Sequence, residues 1–174
     1  MLLEVIAISL FAGWLFGGRP ANLIGVKLIG AEFIVAAFVA SSLVPRLTAI
    51  DPSLGYFFHV FSYLILLVVF SRNEPTPAIG LMAVGVFLNF VVIGLNGGMP
   101  VQAAATVAFT DSIHLRLTDI TRLPWLGDVI TWPLPGGLGG LVSIGDILLS
   151  AGVATMIVQG MRYRGRRRKI ENGE

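Results

Sequence analysis

Residues 78–100 read AIGLMAVGVFLNFVVIGLNGGMP, and the contrast between the two ends of that stretch decides the fold. From Ala78 to Leu95 no side chain carries a charge, and about 20 apolar residues at helical rise suffice to cross the hydrocarbon of a bilayer. The run stops at Asn96-Gly97-Gly98, a cluster of helix-breaking residues. Working outward, the same alternation recurs along the chain. Apolar stretches over about 2–17, 26–45, 54–71, 77–95 and 143–161 are separated by Gly17-Gly18-Arg19-Pro20, Pro45-Arg46, Ser71-Arg72-Asn73 and one long polar segment.

Composition supports the same reading. The chain is 55% hydrophobic and 13% charged, with a mean hydropathy of +0.84. Lipid is the natural solvent for that much apolar surface. We therefore expect an all-α, polytopic transmembrane helix bundle of about five spans, folded as one domain over 1–174. The first stretch lacks a basic leader and carries Glu4, which reads as an uncleaved helix. With no cysteine in the chain, disulfides, thiolate metal sites and a cysteine nucleophile are excluded.

Charge sets the expected orientation. Arg162, Arg164, Arg166, Arg167, Arg168 and Lys169 follow the last span, and basic residues beside a span stay cytoplasmic. Residues 162–174 then form a cytoplasmic basic tail. Counting back through five spans places Arg19, Lys27 and Arg72 on the same side and Arg46, Arg116 and Arg122 on the other, nine against three. The N-terminus and the structured segment 96–142 are accordingly expected outside, in a multi-pass protein of the cell membrane. Beside a span, such a basic run reads as a topology anchor that touches anionic lipid, and no nucleic-acid partner is expected.

Polar side chains within the spans are few. A charged group in the bilayer centre costs about 2.5–3.5 kcal/mol on insertion scales, so each requires a partner or a wet cavity. His59 lies about one and a half turns into the third span, Asn89 and Asn96 share a face of the fourth, and Asp146 opens the fifth. All four fall toward the outer side, at depths that allow one pocket. Glu32 falls in the cytoplasmic half of the second span and carries no assigned role. The competing reading makes His59, Asn89 and Asn96 interhelical glue, and makes Ser143 with Asp146 a capping box on the last helix.

The connection between the fourth and fifth spans is too long for a simple turn. Residues 101–117 are expected as an interfacial helix bearing Asp111, His114 and Arg116. The clusters Leu123-Pro124-Trp125-Leu126 and Trp132-Pro133-Leu134-Pro135 suit the headgroup level, and Gly136, Gly137, Gly139 and Gly140 suit a tightly turned, strand-like return. Asp128 joins Asp146 as a possible carboxylate pair. Two carboxylates in a desolvated site share one proton, and such a pair activates water. His114 with Asp111 makes a weak metal pair, and no metal or other cofactor is expected.

The stretch GDVITWPLP followed by SIGDILLSAGVATMIV resembles the last module of bacterial lipoprotein signal peptidases, over about a fifth of the chain. That resemblance implies a membrane-embedded aspartyl hydrolase with Asp128 and Asp146 as its dyad and Arg122 nearby. The chain departs from that family at Thr118, Thr121 and Ser143, and its first span has no Asp. Over most of its length the chain resembles an uncharacterised family of small bacterial membrane proteins, through LFGGR, NGGMPV, DSIH, TRLPWLGD and SIGD. This second resemblance implies the architecture and the place of the site, without an activity.

The expected function is a non-catalytic membrane module, either an accessory subunit of a larger complex or a binder of lipid or another hydrophobic ligand. His59, Asn89, Asn96, Asp111, His114 and Arg122 are its candidate pocket residues. The hydrolase is the alternative. A small-solute transporter lacks the repeated halves or broken helices that would support it.

Overall fold

The computed structural model describes residues 2–102, 113–133 and 140–171. Backbone amides in hydrocarbon have no water to bond, so apolar segments close their hydrogen bonds internally. The described α-helices are α1 (Leu2–Leu15), α2 (Ala31–Ile50), α3 (Pro52–Arg72), α4 (Pro77–Asn96) and α5 (Ile144–Glu171). α2, α3, α4 and the Ile144–Tyr163 part of α5 are each long and apolar enough to cross a membrane, while α1 is apolar but shorter. Phe11, Trp14, Phe33, Phe38, Phe57 and Phe87 all point outward, a surface suited to lipid rather than water.

Two boundaries differ from expectation. The break foreseen at Pro45-Arg46 falls six residues later, because α2 runs through Pro45 to Ile50. Val44 and Thr48 stay buried, and Gly55 of α3 sits so close to Thr48 that a Cβ there would collide with it. The turn occurs where Asp51 precedes Pro52, since a residue before proline is pushed to extended backbone. Asp51 adopts φ −152°, ψ 121°, and its carboxylate accepts from the Ser53 amide at 2.7 Å. A single residue thus joins α2 to α3, and His59 lies about two turns into its helix. At the other end of the chain, α5 continues through the basic residues to Glu171. Arg and Lys are good helix formers, so charge ends the apolar span without ending the helix.

The helices run up and down. Tyr56 of α3 donates to the Gly94 carbonyl of α4, while Phe70 and Ile79 share a cluster at the opposite end. Gly85 packs on Gly145 and Leu149, and Gly152 on Ala78 and Met82, so α4 and α5 are antiparallel at backbone distance. Gly13 of α1 meets Met161, and Leu2 borders the same cavity as Leu149, so α1 runs parallel to α5. A 3-10 turn, Pro20–Gly25, wraps the far end of α5, where the Met161 carbonyl accepts from the Arg19 amide and the Asn22 side chain.

The segment after α4 is built from strands where it is described. β1 (Met99–Val101) pairs in parallel with β2 (His114–Arg116), with Met99 opposite His114 and Val101 opposite Arg116. β3 (Ile130–Trp132) pairs antiparallel with β4 (Gly140–Val142). The interfacial helix expected over 101–117 is therefore strand at both of its ends, and 103–112 lie outside the described residues. The strand-like return survives in β4, with Gly136, Gly137 and Gly139 outside the description. Buried Val92 and Ile93 of α4 pack with Met99 and Leu126, seating this cap on the bundle.

Candidate functional site

The cap is positioned first by the end of α4. Gly97 closes that helix at φ 80°, a left-handed conformation that glycine adopts without a Cβ penalty. The Asn96 side chain then clamps the chain 26 residues on. Its Oδ1 accepts from the Arg122 amide at 2.8 Å, and its Nδ2 donates to the Arg122 carbonyl at 2.9 Å and to the Val92 carbonyl at 2.8 Å. Leu123 follows with φ 50°, unusual strain for a branched residue, and packs against the Val92–Leu126 cluster.

Asp128 reaches the site through the backbone. Its amide donates to the Pro100 carbonyl at 2.8 Å, and its carbonyl accepts from the Gln102 amide at 3.0 Å, making a bridge to Val101 on the open edge of β1. Gly127 is needed there, since a Cβ would collide with the Pro100 carbonyl. Asp128 is 7% exposed. One carboxylate oxygen is 3.8 Å from His114 Nε2, and the other is buried without a hydrogen bond among the described residues.

Asp146 arrives by local helix chemistry. Its amide donates to Ser143 Oγ at 2.9 Å, and its Oδ2 accepts from the Ser143 amide at 3.2 Å, the reciprocal pair of a capping box. Asn89, 1% exposed in α4, joins both residues. It donates to Asp146 Oδ1 at 2.8 Å and accepts from Ser143 Oγ at 2.9 Å. Gly145 makes this closure possible, because a Cβ there would strike the Asn89 amide.

The charge of Asp146 acts on Asp128. Burial, followed by the Asp146 charge, pushes the Asp128 pKa up to about 7, against the opposing influence of His114. A carboxyl in that range holds a proton about half the time at neutral pH. Tyr63 of α3 faces the Asn89 amide within electrostatic range of both aspartates, and its ring packs edge-on against His59 at 5.3 Å.

Beside Asp146 lies a cavity of about 320 Å³, walled by Leu2 of α1, Trp132, Leu141, Leu149 and Ser150. Ser150 Oγ and Trp132 Nε1 are buried with no hydrogen-bond partner among the described residues. Both belong to the lining of this one apolar-walled cavity. Among the described residues no group of three or more His, Asp or Glu side chains is arranged to hold a metal ion.

A family model described as "Family of unknown function (DUF5317)" matches residues 21–158. The chain belongs to this family. An uncharacterized protein of Thermotoga maritima is 33% identical over 107 residues, covering 59% of this chain and 64% of the relative. The match thus spans less than two thirds of that relative's length. No solved structure matches. The DUF5317 match contains Asn89, His114, Asp128, Ser143 and Asp146, so every polar group of the cluster is within it. Leu2, which closes one side of the cavity, is outside it.

The structure gathers His59, Asn89, His114, Asp128 and Asp146 around one end of the bundle. Asn96 and Arg122 go elsewhere, to a second cavity of about 460 Å³ that also contains Arg116, Thr118 and Thr121. Asp111 lies outside the described residues. Sequence reasoning missed Tyr63 and Ser150, and it read Trp132 as a headgroup-level residue rather than as part of the cavity lining. Tyr63 had a usable signal, since it stands one helical turn after His59 and a buried phenol seeks a polar partner. Ser150, one turn after Asp146 on the same face of α5, had the same signal.

Proposed function

We propose that this DUF5317 protein is an integral membrane protein that holds the apolar part of an amphiphilic ligand in the cavity beside Asp146. In this reading it crosses the cell membrane five times, with the N-terminus and the cap outside and the basic end of α5 in the cytoplasm. The nine-to-three distribution of basic residues supports that orientation. So does the up-and-down course of the helices, which groups Arg19, Lys27 and Arg72 with the basic end of α5.

The observation that carries the binding role is the pairing of apolar walls with two buried polar atoms, Ser150 Oγ and Trp132 Nε1, that have no hydrogen-bond partner among the described residues. A buried hydrogen-bonding group without a partner costs about 1–3 kcal/mol, a cost that a ligand removes by supplying the partner. The volume falls at the small end of ligand pockets, which span about 300–1,000 Å³. Purified full-length protein should retain an amphiphile identifiable by mass spectrometry of an organic extract. Ser150→Phe, which fills the cavity, should lose it while remaining folded. An extract matching the bulk membrane lipids, unchanged by Ser150→Phe, would refute the reading.

One observation favours hydrolysis as a second reading. Asp128, pushed up to about 7 beside Asp146, is suited to donate or take a proton at neutral pH. Against it, both Asp146 oxygens are already engaged by Asn89 and the Ser143 amide. Cleavage of a lipid-linked peptide by the wild type, abolished by Asp128→Asn and by Asp146→Asn, would establish this activity. An accessory role in a larger complex predicts recovery of the chain with a stoichiometric partner after mild solubilisation.

A further inference from the structure

Given the binding role proposed above, on which this assignment rests, we infer that the ligand of the cavity beside Asp146 is an uncharged acylglycerol, a lipid with a free hydroxyl next to an ester carbonyl.

Ser150 stands apart from other helical hydroxyls of the chain. A hydroxyl inside a helix commonly bonds to the carbonyl one turn back. Ser9, Thr48 and Thr155 do so, donating to the carbonyls of Val5, Val44 and Ala151 at 2.6, 2.8 and 2.8 Å. Ser150, 5% exposed, makes no such bond to Asp146, and its Oγ has no partner among the described residues. Trp132 Nε1 is in the same condition in the same lining. Gly140 stands opposite Trp132 in the β3–β4 ladder, and a Cβ there would meet nothing within 4 Å. Space for a ligand is therefore left beside the indole.

The chemistry of each lining group restricts the head. An indole N–H donates and cannot accept, so it calls for an oxygen acceptor on the ligand. The Asp146 carboxylate, which also lines the cavity, calls for a donor. Each of its oxygens accepts one bond, from Asn89 and from the Ser143 amide. A carboxylate has about four acceptor positions, so room remains for a ligand hydroxyl. Ser150 serves as donor or acceptor.

Charge narrows the class. The Asp146 charge is felt at Asp128, and it opposes an anionic head in the same lining. Residues 103–112 and 134–139, outside the described set, contribute no Lys or Arg. A fatty acid or a lysophosphatidate thus meets Trp132 but is repelled by Asp146. An alkylammonium meets Asp146 but brings no lone pair to Trp132. A glyceryl ester brings a hydroxyl and a carbonyl together without charge. The cavity of about 320 Å³ holds this head and the first methylenes against Leu2, Leu141 and Leu149. Leu3, beside Leu2, and Ile147, beside Asp146, are exposed, which offers the rest of the acyl chain an apolar path to the bilayer.

The test uses delipidated full-length protein in detergent, with binding read by native mass spectrometry and by thermal shift. Monoolein, oleate, oleoyl lysophosphatidate and oleylamine share one chain and differ in the head. Monoolein should bind about tenfold more tightly than the other three. Ser150→Ala and Trp132→Phe, each of which removes one polar atom, should each weaken monoolein about fivefold. Thr155→Ala, in the same helix but outside the cavity, should leave it unchanged. Any of the other three bound by the wild type as tightly as monoolein overturns the acylglycerol head, leaves the cavity an amphiphile site, and requires no variant. Monoolein binding that survives both Ser150→Ala and Trp132→Phe unchanged also overturns it. The binding role itself fails separately, if Ser150→Phe leaves every probe bound as in the wild type.

Discussion

Asp146 does two jobs with two oxygens: one closes the capping box on α5, and the other accepts from Asn89 across the helix interface. Asn89 in turn holds Ser143, so three residues satisfy one another where α5 begins. Asn89→Leu removes the donor to a carboxylate and the acceptor for a buried hydroxyl together. We expect a loss of about 2 kcal/mol in unfolding free energy, measurable by reversible unfolding in bicelles. Asp128 makes the opposite case, a buried carboxyl with one oxygen unbonded among the described residues. Its folded pKa of about 7 lies above the usual 3.8, so between those values the folded state binds more protons than the unfolded. Stability is therefore greatest below about pH 4, falls as pH rises toward about 7, and is flat in this respect above it. Asp128→Asn should flatten that slope in a pH series of unfolding measurements, and an unaltered slope would show that another group titrates.

At the scale of elements, one device recurs at both ends of the bundle. Asn73, just past α3, accepts from the Ile29 amide at 2.9 Å and donates to the carbonyls of Ile29 at 3.0 Å and Val69 at 2.7 Å. Asn96 does the same with Arg122 and Val92. Each amide binds the last helical turn four residues back and pins a loop distant in sequence, satisfying backbone groups that a helix end leaves open. Replacing either Asn by Ala should speed amide exchange locally by about tenfold, at Ile29 for Asn73 and at Arg122 for Asn96, with little change at the other site. The connections themselves follow from cap chemistry. Asp51-Pro52 and Thr76-Pro77 each place a capping side chain before a proline at the first helical position, where its missing donor is harmless.

Across the whole molecule, α1 and α4 pack on α5 through glycines, at Gly13, Gly85, Gly145 and Gly152, where close backbone approach replaces the hydrophobic drive that lipid removes. This packing sets the cap, the polar cluster and both cavities at one end, with the basic extension of α5 at the other. The orientation proposed above has a direct test, because the chain contains no native cysteine. Cysteines introduced at Ile120 and Thr131 should react with a membrane-impermeant maleimide in intact cells. Those introduced at Glu74 and Arg162 should react only after permeabilisation, and the reverse pattern would invert the topology.

Much of this was legible one residue at a time. The apolar segments had to become helices, because hydrocarbon offers their amides no other partner. The capping box of Ser143 and Asp146 was one of two readings open for Asp146, beside a carboxylate pair with Asp128, and it was legible because such a box needs only residues three apart. The limits were equally physical. Asn89 and Asn96 are seven residues apart in one helix, yet Asn89 turns to Asp146 and Asn96 to Arg122, a division set by which loop each helix end meets. Pro45 suggested a break, but packing on α3 carried α2 past it. The place of Asp128, buried within electrostatic range of Asp146, depends on β1 offering its edge to the chain beyond Arg122. Local rules of periodicity and capping act over a few residues and are written in the chain. Contacts closed across loops of tens of residues carry no period, and only the packed bundle decides them.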